Sequence, residues 1–532
     1  MQRIESRVDP GSESFRRNRE HNLRLSAELA ERLHAARHVR PERAIERLRH
    51  HGKLQVRERL ELLLDPGTPF LELMALAAGD AYDGEVPQAG VAAGIGVVSG
   101  REVLVLANDP ATKAGAWYPH TVRKIRRALD IALENRLPVV HLVDSAGGFL
   151  PLQDQLFSLG GGVFRRQCLL SGKGVPQVAV VLGHCTAGGA YVPTLCDASI
   201  MVRGTGCVFL GGPPLVKAAT GEEISADELG GADVHAGISG TADYAVDTEA
   251  EGIALARELI GLWSRPEKQA LERRAVEDPF YDPAELYGVI PDDIKKQFDM
   301  REVLARMLDG SRFHEFKPAY GDTLVCGWGF LHGWKVGILG NNGVLFSEAA
   351  NKATQFMQLC DRDRVPLLFL HNITGFMVGR EYEHRGITKD GAKMIMVQAN
   401  VTVPKLSVHM HASYGAGHYA MASRAWAPRF VFTWPNARVG IMGADQAAKT
   451  LSQLRVESLR REGREPTVAE LQAIDDEIQT SYDRWNNPYH VTSELRDDGL
   501  IDPVDTRNAL GMALSSCLQA PLPRAPGGVL RI

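Results

Sequence analysis

The chain has few cysteines, and they are not spaced for cysteine chemistry. Seven Cys are scattered over 532 residues, with no CxxC pair. A disulfide-stapled domain is small and dense in cysteine, usually in even number, and a cysteine zinc site has thiols at CxxC-type spacing. The sequence therefore excludes both, and it predicts reduced cysteines in a cytoplasmic protein.

Long hydrophobic runs and an excess of positive charge are also missing. No apolar stretch approaches the ~20 residues that span a bilayer. The formal net charge is −5, and no basic stripe carries interleaved aromatic residues. We therefore expect no membrane partner and no nucleic-acid partner.

The common catalytic signatures are absent as well. The chain has no GxxxxGK[ST], no GxGxxG that opens a helix after a strand, no HExxH and no GxSxG. These motifs serve phosphate binding, dinucleotide binding, zinc hydrolysis and nucleophilic hydrolysis, respectively. Their absence predicts an enzyme without its own ATP site, and we predict no metal in this chain.

What the chain does contain is a long internal repeat. Residues 137–194 and 365–422 align without insertion or deletion. Matching residues recur at an interval of 228 positions: Pro138 and Pro366, Gly147 and Gly375, Pro176 and Pro404, Gly189 and Gly417, Tyr191 and Tyr419. Solenoid repeats run about 20–50 residues, so this period indicates two related domains.

Apolar runs alternate with helical periodicity along both copies. Residues 139–143 and 178–182 read as buried strands, and residues 122–135 read as a helix. This alternation predicts an α/β fold with buried sheets. A polar, Pro-rich stretch at 267–297 marks the linker, which gives domains at 1–275 and 276–532, the first with an N-terminal helical arm.

A glycine cluster follows an apolar strand in each copy. The first cluster contains Gly188 and Gly189, and the second contains Gly415, Ala416 and Gly417. Free N–H groups at such a turn can hold a carbonyl oxygen as it gains negative charge, which is the oxyanion-hole principle. Tight packing is the alternative explanation for these glycines.

Longer motifs carry a family resemblance. Residues 52–60, 64–70 and 498–503 resemble the carboxyltransferase (β) subunits of biotin-dependent acyl-CoA carboxylases. Residues 211–222, 341–346 and 373–379 are most similar to the methylcrotonyl-CoA and geranyl-CoA branch. The resemblance extends over nearly the whole chain.

The resemblance implies two tandem crotonase-like (ClpP-type) domains in a hexamer, with the site at a subunit interface. It implies that acyl-CoA binds the first domain, and that biotin carried by a biotin carboxylase/biotin carrier α-subunit binds the second. Gly188 and Gly189 would then stabilise the enolate of the acyl-CoA, and Gly415, Ala416 and Gly417 would serve carboxybiotin. Because biotin itself can take the substrate proton, no side-chain base is required.

Five further residues are candidates for cofactor binding. Lys113 and Lys217 could meet the CoA phosphates or be solvated surface lysines. Phe149 could line the acyl pocket or be core. Gly375 and Phe376 are candidates in the second copy. His418 and His384 are expected to be surface or supporting residues rather than bases.

The implied reaction is carboxylation of a β-methyl-α,β-unsaturated acyl-CoA at its γ-carbon, as for 3-methylcrotonyl-CoA. Gly160, Gly161 and Gly162 belong to a short glycine-bearing segment similar to geranyl-type enzymes, and they predict a roomier substrate pocket. Geranyl-CoA or another longer acyl-CoA is therefore an alternative substrate. A crotonase-type decarboxylase and a non-catalytic scaffold subunit also remain open.

Overall fold

The computed structural model of the chain describes residues 1–264, 272–523 and 529–530. Within these ranges the chain forms two mixed β-sheets of eight strands each. The strands are β1 (Gln2–Arg3), β2 (Leu71–Leu73), β3 (Val91–Val98), β4 (Arg101–Asn108), β5 (Val139–Ser145), β6 (Gln177–Thr186), β7 (Ala198–Val202), β8 (Cys207–Phe209), β9 (Tyr244–Val246), β10 (Arg312–Glu315), β11 (Leu324–Leu331), β12 (Trp334–Asn341), β13 (Leu367–Ile373), β14 (Lys405–Tyr414), β15 (Phe430–Thr433) and β16 (Arg438–Gly440).

Helices cover both sheets. They are α1 (Glu13–His38), α2 (Glu42–His50), α3 (Val56–Leu63), α4 (Pro119–Asn135), α5 (Gln153–Gly172), α6 (Tyr191–Thr194), α7 (Pro213–Thr220), α8 (Ala226–Gly230), α9 (Ala232–Val234), α10 (Glu249–Leu262), α11 (Leu286–Val289), α12 (Met300–Ala305), α13 (Ser347–Arg362), α14 (Arg380–His384), α15 (Ile387–Asn400), α16 (Gly415–Ala420), α17 (Ala444–Arg461), α18 (Val468–Asn486), α19 (Pro488–Ser493) and α20 (Thr506–Cys517). The predicted α/β class is confirmed.

The two sheets repeat one topology. The first sheet has the order β2-β3-β4-β5-β6-β7-β9, with β8 beside β6, and the second has the order β1-β10-β11-β12-β13-β14-β15, with β16 beside β14. Each sheet is antiparallel at one side and becomes parallel where β4 meets β5 in the first and where β12 meets β13 in the second.

The register of the duplicated strands is the same in both copies. Strands β5 and β13 differ by 228 positions at both ends, and so do β6 and β14. Each parallel pair breaks register near its carboxyl end, where Ser145 lies opposite Cys185 and Ile373 lies opposite Ser413. The duplication predicted from sequence therefore extends to the irregularities of the backbone.

The first sheet is buried on both faces, which explains its continuous apolar strands. Val103 and Val105 of β4 pack with α3 and α10, whereas Leu104 and Leu106 pack with α4 on the opposite face. Successive side chains of a strand point to opposite faces. The carboxyl ends of β5 and β6 lead directly into the segments that contain Gly147 and Gly188.

The predicted N-terminal helical arm is formed by α1, α2 and α3. The side-chain amide of Asn22 donates to the backbone carbonyls of Tyr287 and Ile290, and that of Asn18 donates to Gly288 O. The arm is thus held against α11. The predicted boundary at 275 falls between β9 and β10 and remains a prediction. Strand β1 precedes this boundary but pairs with β10, so it belongs to the second sheet. Residues 267–271 of the predicted linker lie outside the described residues.

A buried carboxylate connects the two halves of the chain. Asp498 is fully buried, and its Oδ1 lies 2.8 Å from Arg127 Nε and 2.8 Å from Arg424 Nη2. Arg127 belongs to α4 of the first half, and the Val431 N–H also donates to Asp498 at 2.9 Å. The two guanidinium groups hold the pKa of this carboxyl well below its usual range.

No helix in the described ranges combines the length and the apolar character that crossing a bilayer requires.

Replacing Asp498 by Asn should destabilise the protein strongly. The change leaves two buried guanidinium groups without their counter-charge, which costs about 3–5 kcal/mol. Urea denaturation followed by circular dichroism measures the effect. Asp445→Asn is the matched control, because Asp445 pairs with Lys295 at the surface, where both side chains are well exposed, and should change stability by less than about 1 kcal/mol. Equal denaturation midpoints for the two variants would contradict the assignment.

Candidate active site

The first glycine turn follows β6 directly. Residues 187–190 form one 3₁₀ turn that runs into α6. Ala187 has a φ of +54°, a left-handed conformation that is uncommon outside glycine. Gly188 is exposed, and Gly189 and Ala190 are buried. The first N–H groups of this turn have no partner within it, because no earlier turn of helix supplies a carbonyl.

Two neighbouring loops support this turn. A side chain at Gly147, which follows β5, would come within 3.2 Å of Thr186 O, and one at Gly115 would meet Asp144 O at 2.0 Å. The Trp117 N–H donates to Gly147 O at 2.8 Å. The loops after β4, β5 and β6 therefore meet at one edge of the first sheet.

Packing does not explain the glycines of the first turn. A Cβ at Gly189 would meet no atom within 4 Å, and one at Gly188 would make only ordinary contact, 3.4 Å from the Phe164 ring. The space that these residues leave open is available for a ligand to approach the backbone.

The second turn occupies the equivalent place after β14. Gly415 has a φ of +59°, in the same left-handed region as its counterpart Ala187. Ala416 is exposed. Gly417 differs from Gly189, because a Cβ there would lie 2.6 Å from Ile373 Cγ1. Packing alone thus requires glycine at 417.

An open cavity of about 400 Å³ adjoins the first turn. It is lined by the carboxyl ends of β5 and β6 and by basic residues of the N-terminal arm, among them Arg47, His51 and Lys53. Sequence reasoning missed this contribution of the arm, since nothing in the spacing indicates that α2 reaches the end of the sheet.

The carboxylate in this cavity is held by ion pairs. Asp144 Oδ2 lies 2.6 Å from Lys53 Nζ and 2.9 Å from Arg59 Nη2. Arg59 is fully buried and also contacts Glu249 at 2.6 Å. These four side chains fix the end of β5, with Asp144 between two cations and Arg59 between two carboxylates.

The predicted CoA-binding lysines lie at the surface in ion pairs. Lys113 Nζ is 2.5 Å from Glu85, and Lys217 Nζ is 2.5 Å from Glu223. Both lysines are solvated. Such surface pairs are weak and can exchange for a phosphate partner.

The predicted aromatic and glycine residues occupy the loops after β5 and β13. Phe149 is half-buried and stacks on Tyr118, with ring centroids 4.5 Å apart. Gly375 has a φ of +137°, and a Cβ added to it would meet no atom within 4 Å. The half-buried Phe376 ring packs over Gly391.

The three pocket glycines lie on α5. Gly160 and Gly161 face open space, whereas a Cβ at Gly162 would meet Arg126 Nε at 2.9 Å. Phe164, on the same helix, approaches Gly188. Residues three and four positions apart share a helix face, so Gly160 and Gly161 lie on the face that reaches the first glycine turn.

The second half also contains a histidine cluster that sequence reasoning missed. His371, His409 and His418 each bring one ring nitrogen within 4.8 Å of the others. Burial lowers the pKa of His418 to about 4 and places those of His371 and His409 well below the usual range. His418 is half-buried and His384 is exposed, and the expectation that neither acts as a base remains a prediction.

Comparison with known proteins agrees with this architecture. Residues 47–526 match the family described as "Carboxyl transferase domain". The chain is 50% identical over 512 residues to the biotin-dependent 3-methylcrotonyl-coenzyme A carboxylase beta1 subunit of Mycobacterium tuberculosis, covering 96% of this chain and 97% of that protein. It is 46% identical over 534 residues to the mitochondrial methylcrotonoyl-CoA carboxylase beta chain of Arabidopsis thaliana, covering 99% and 91%.

Among solved structures, the chain is similar to the beta subunit of P. aeruginosa geranyl-CoA carboxylase. The TM-score is 0.90 at 41% sequence identity, and the match covers 100% of both chains. The motif resemblance and the expected fold are both confirmed: the chain belongs to the carboxyl transferase family.

Proposed function

We propose that this chain is the carboxyltransferase subunit of a biotin-dependent acyl-CoA carboxylase that acts on a β-methyl-α,β-unsaturated acyl-CoA. The observation that carries the proposal is the pair of matched turns at the ends of β6 and β14. In the first turn, Gly188 and Gly189 leave open space that packing does not need. The relatives named for methylcrotonyl-CoA support 3-methylcrotonyl-CoA as the substrate.

In the first half, the backbone N–H groups of Gly188 and Gly189 would donate to the thioester oxygen of the acyl-CoA. Removing the γ-proton places negative charge on this oxygen through the double bond, and preorganised donors stabilise that charge. The adjoining cavity, with Arg47 at its rim, would take part of the CoA. Lys113 and Lys217 would exchange their surface carboxylates for CoA phosphates.

The second turn fits a carboxybiotin carried by a partner subunit. Gly375 has open space at its Cβ position, and Ala416 is exposed at the start of α16. The N–H groups of Gly415, Ala416 and Gly417 would hold the ureido oxygen, with Phe376 beside them. When bound, carboxybiotin supplies the carboxyl group and then the base for the substrate proton.

Exposed apolar residues at both turns support an oligomer with the site at a subunit interface. Leu150 and Val378 occupy equivalent positions and are 75% and 74% exposed. Tyr191 and Tyr419 are a second equivalent pair, each nearly half exposed. Because these apolar side chains are exposed at equivalent places in the two halves, we propose that the first half of one subunit faces the second half of another, in a hexamer. All seven cysteines are free thiols, which supports a cytoplasmic location.

Geranyl-CoA is the second candidate substrate. The match to a geranyl-CoA carboxylase beta subunit over the full length favours it, and so does the open face of α5 at Gly160 and Gly161.

The isolated chain should not carboxylate any acyl-CoA from ATP and bicarbonate. The sequence contains neither an ATP-binding signature nor a biotin attachment site, so activity requires a biotinylated α-subunit. Incorporation of labelled bicarbonate into 3-methylcrotonyl-CoA, with and without that partner, measures this dependence. Labelled product from the chain alone would overturn the prediction, and decarboxylation of a carboxyacyl-CoA without partner would favour a decarboxylase.

Substitution in the two turns should impair different half-reactions. Gly189→Val should reduce turnover of acyl-CoA by roughly 10²-fold or more, because it blocks approach to the N–H donors. Ala416→Val should instead slow decarboxylation of carboxybiotin measured without acyl-CoA. Gly189 faces open space and Ala416 is exposed, so both positions accept a side chain more readily than Gly417, which contacts Ile373.

Gly172→Val is the matched control for these variants. Gly172 ends α5 and also faces open space. The Gly172→Val variant should retain activity. Equal activity of the Gly189→Val, Ala416→Val and Gly172→Val variants would refute the assignment of the two turns.

Gly161→Phe should narrow the acyl pocket. Each buried methylene is worth about 0.8 kcal/mol, so a protein with an open α5 face should use geranyl-CoA measurably. The variant should lose this activity and keep that on 3-methylcrotonyl-CoA, as seen in kcat/KM for both substrates. Gly172→Phe, the same change at the far end of the helix, should alter neither. Strict use of 3-methylcrotonyl-CoA by the unmodified protein would disprove the pocket argument.

A further inference from the structure

Three histidine rings meet directly beneath the second glycine turn. His371 is on β13, His409 is on β14, and His418 is in α16. The ring centroids lie 4.7 Å apart for His371 and His409, 5.2 Å for His409 and His418, and 5.7 Å for His371 and His418. One nitrogen of each ring lies within 4.8 Å of the others, so a small contraction would bring all three to a common ion.

The first copy of the repeat holds no such cluster. The three equivalent positions carry Val143, Val181 and Ala190, which are buried apolar residues. The same backbone therefore packs well without histidine at any of the three. In the second copy all three positions carry histidine, and they lie on three separate elements whose side chains meet. This pattern indicates a shared ligand rather than filling of the core.

The hydrogen bonds around the rings match those of metal-binding histidines. Ser413 Oγ lies 2.8 Å from the Nδ1 atoms of both His371 and His418, and Thr433 Oγ1 lies 3.0 Å from His409 Nδ1. Hydroxyls thus engage the Nδ1 atom of every ring. Histidines that bind metals usually hold their second nitrogen in such a hydrogen bond, which fixes the ring and its tautomer.

The remaining nitrogens of two rings are unpaired. His371 Nε2 and His409 Nε2 are buried without a hydrogen-bond partner among the described residues. A buried polar atom without a partner costs free energy, and a bound ion would remove that cost. Asp498, 2.8 Å from Arg424, partly offsets the positive charge that Arg424 places near His409.

We propose that His371, His409 and His418 form a binding site for a divalent transition-metal ion of the zinc class. Imidazole nitrogens suit Zn²⁺, Co²⁺, Ni²⁺ and Cu²⁺, and three histidines with a fourth position left to solvent or another ligand is an established zinc arrangement. The ion would tie β13, β14 and the start of α16 together under residues 415–417. The proposal departs from the sequence-based expectation of a chain without metal, and it does not depend on the proposed acyl-CoA substrate.

Metal analysis of the untagged full-length protein tests the proposal. After chelator treatment and dialysis, Zn²⁺ should rebind at about one ion per chain. It should raise the thermal midpoint by roughly 2–4 °C. Co²⁺ should give the intense visible absorption of a low-coordinate nitrogen site. None of these readouts uses carboxylase activity, so failure of the proposed function would leave them unchanged.

Variants locate the ion. The double variant His371→Val/His409→Val installs the residues of the first copy, which the fold accommodates at the equivalent positions, and it should abolish the stoichiometric binding. Ser413→Ala removes the hydroxyl that orients two rings and should weaken Zn²⁺ affinity by roughly 10–100-fold. Folding is checked by circular dichroism.

His411→Gln is the matched control. His411 is a buried histidine on the same strand, next to Asn436 and outside the cluster, and its replacement should leave Zn²⁺ binding unchanged. Absence of stoichiometric Zn²⁺ and Co²⁺ binding by the unmodified protein would overturn the proposal. Zn²⁺ binding by the double variant equal to that of the unmodified protein would also overturn the proposal. Neither of these two results can be explained by poor folding of a variant.

Discussion

The burial of Asp498 between Arg127 and Arg424 is the interaction on which the arrangement of the two halves depends. A carboxylate in this position is stable only because two guanidinium groups and a backbone N–H surround it. Since Arg127 lies on α4 and Asp498 follows α19, the charge cluster sets the position of one sheet against the other. Helix α4 also covers the first sheet, so it links the core of the first half to the contact between the two halves.

A second cluster of ion pairs holds together the carboxyl end of the first sheet. Arg59, Asp144 and Glu249 connect the N-terminal arm, β5 and α10. Because the loop after β5 supports the first glycine turn, the ionic contacts of the arm bear on the position of the N–H donors. The proposed catalytic groups are backbone atoms, and their geometry is only as exact as the packing of the strands that precede them.

The sequence predicted the parts of this molecule that repeat or that have a local pattern. The strands at 139–143 and 178–182, the helix at 122–135 and the interval of 228 positions are all present in the structure. The family followed from motifs of several consecutive residues. Conversely, the difference between Gly189, which faces open space, and Gly417, which is packed against Ile373, depends on neighbours far along the chain. The histidine cluster was missed for the same reason, since parallel strand pairing alone brings His371 beside His409.

The equivalence of Leu150 and Val378 has a consequence for symmetry. An interface between the first half of one subunit and the second half of another would join two surfaces built on the same backbone. The contact is heterologous, because different parts of the two subunits meet. It nevertheless resembles a two-fold symmetric contact, because the two surfaces share one backbone arrangement. A substitution at Leu150 would then alter only one side of each contact, whereas in a true homodimer every interface change occurs twice. In the proposed assembly, the duplication would thus allow the two sides of the site to diverge independently, one toward acyl-CoA and the other toward biotin, while the geometry of the contact is kept.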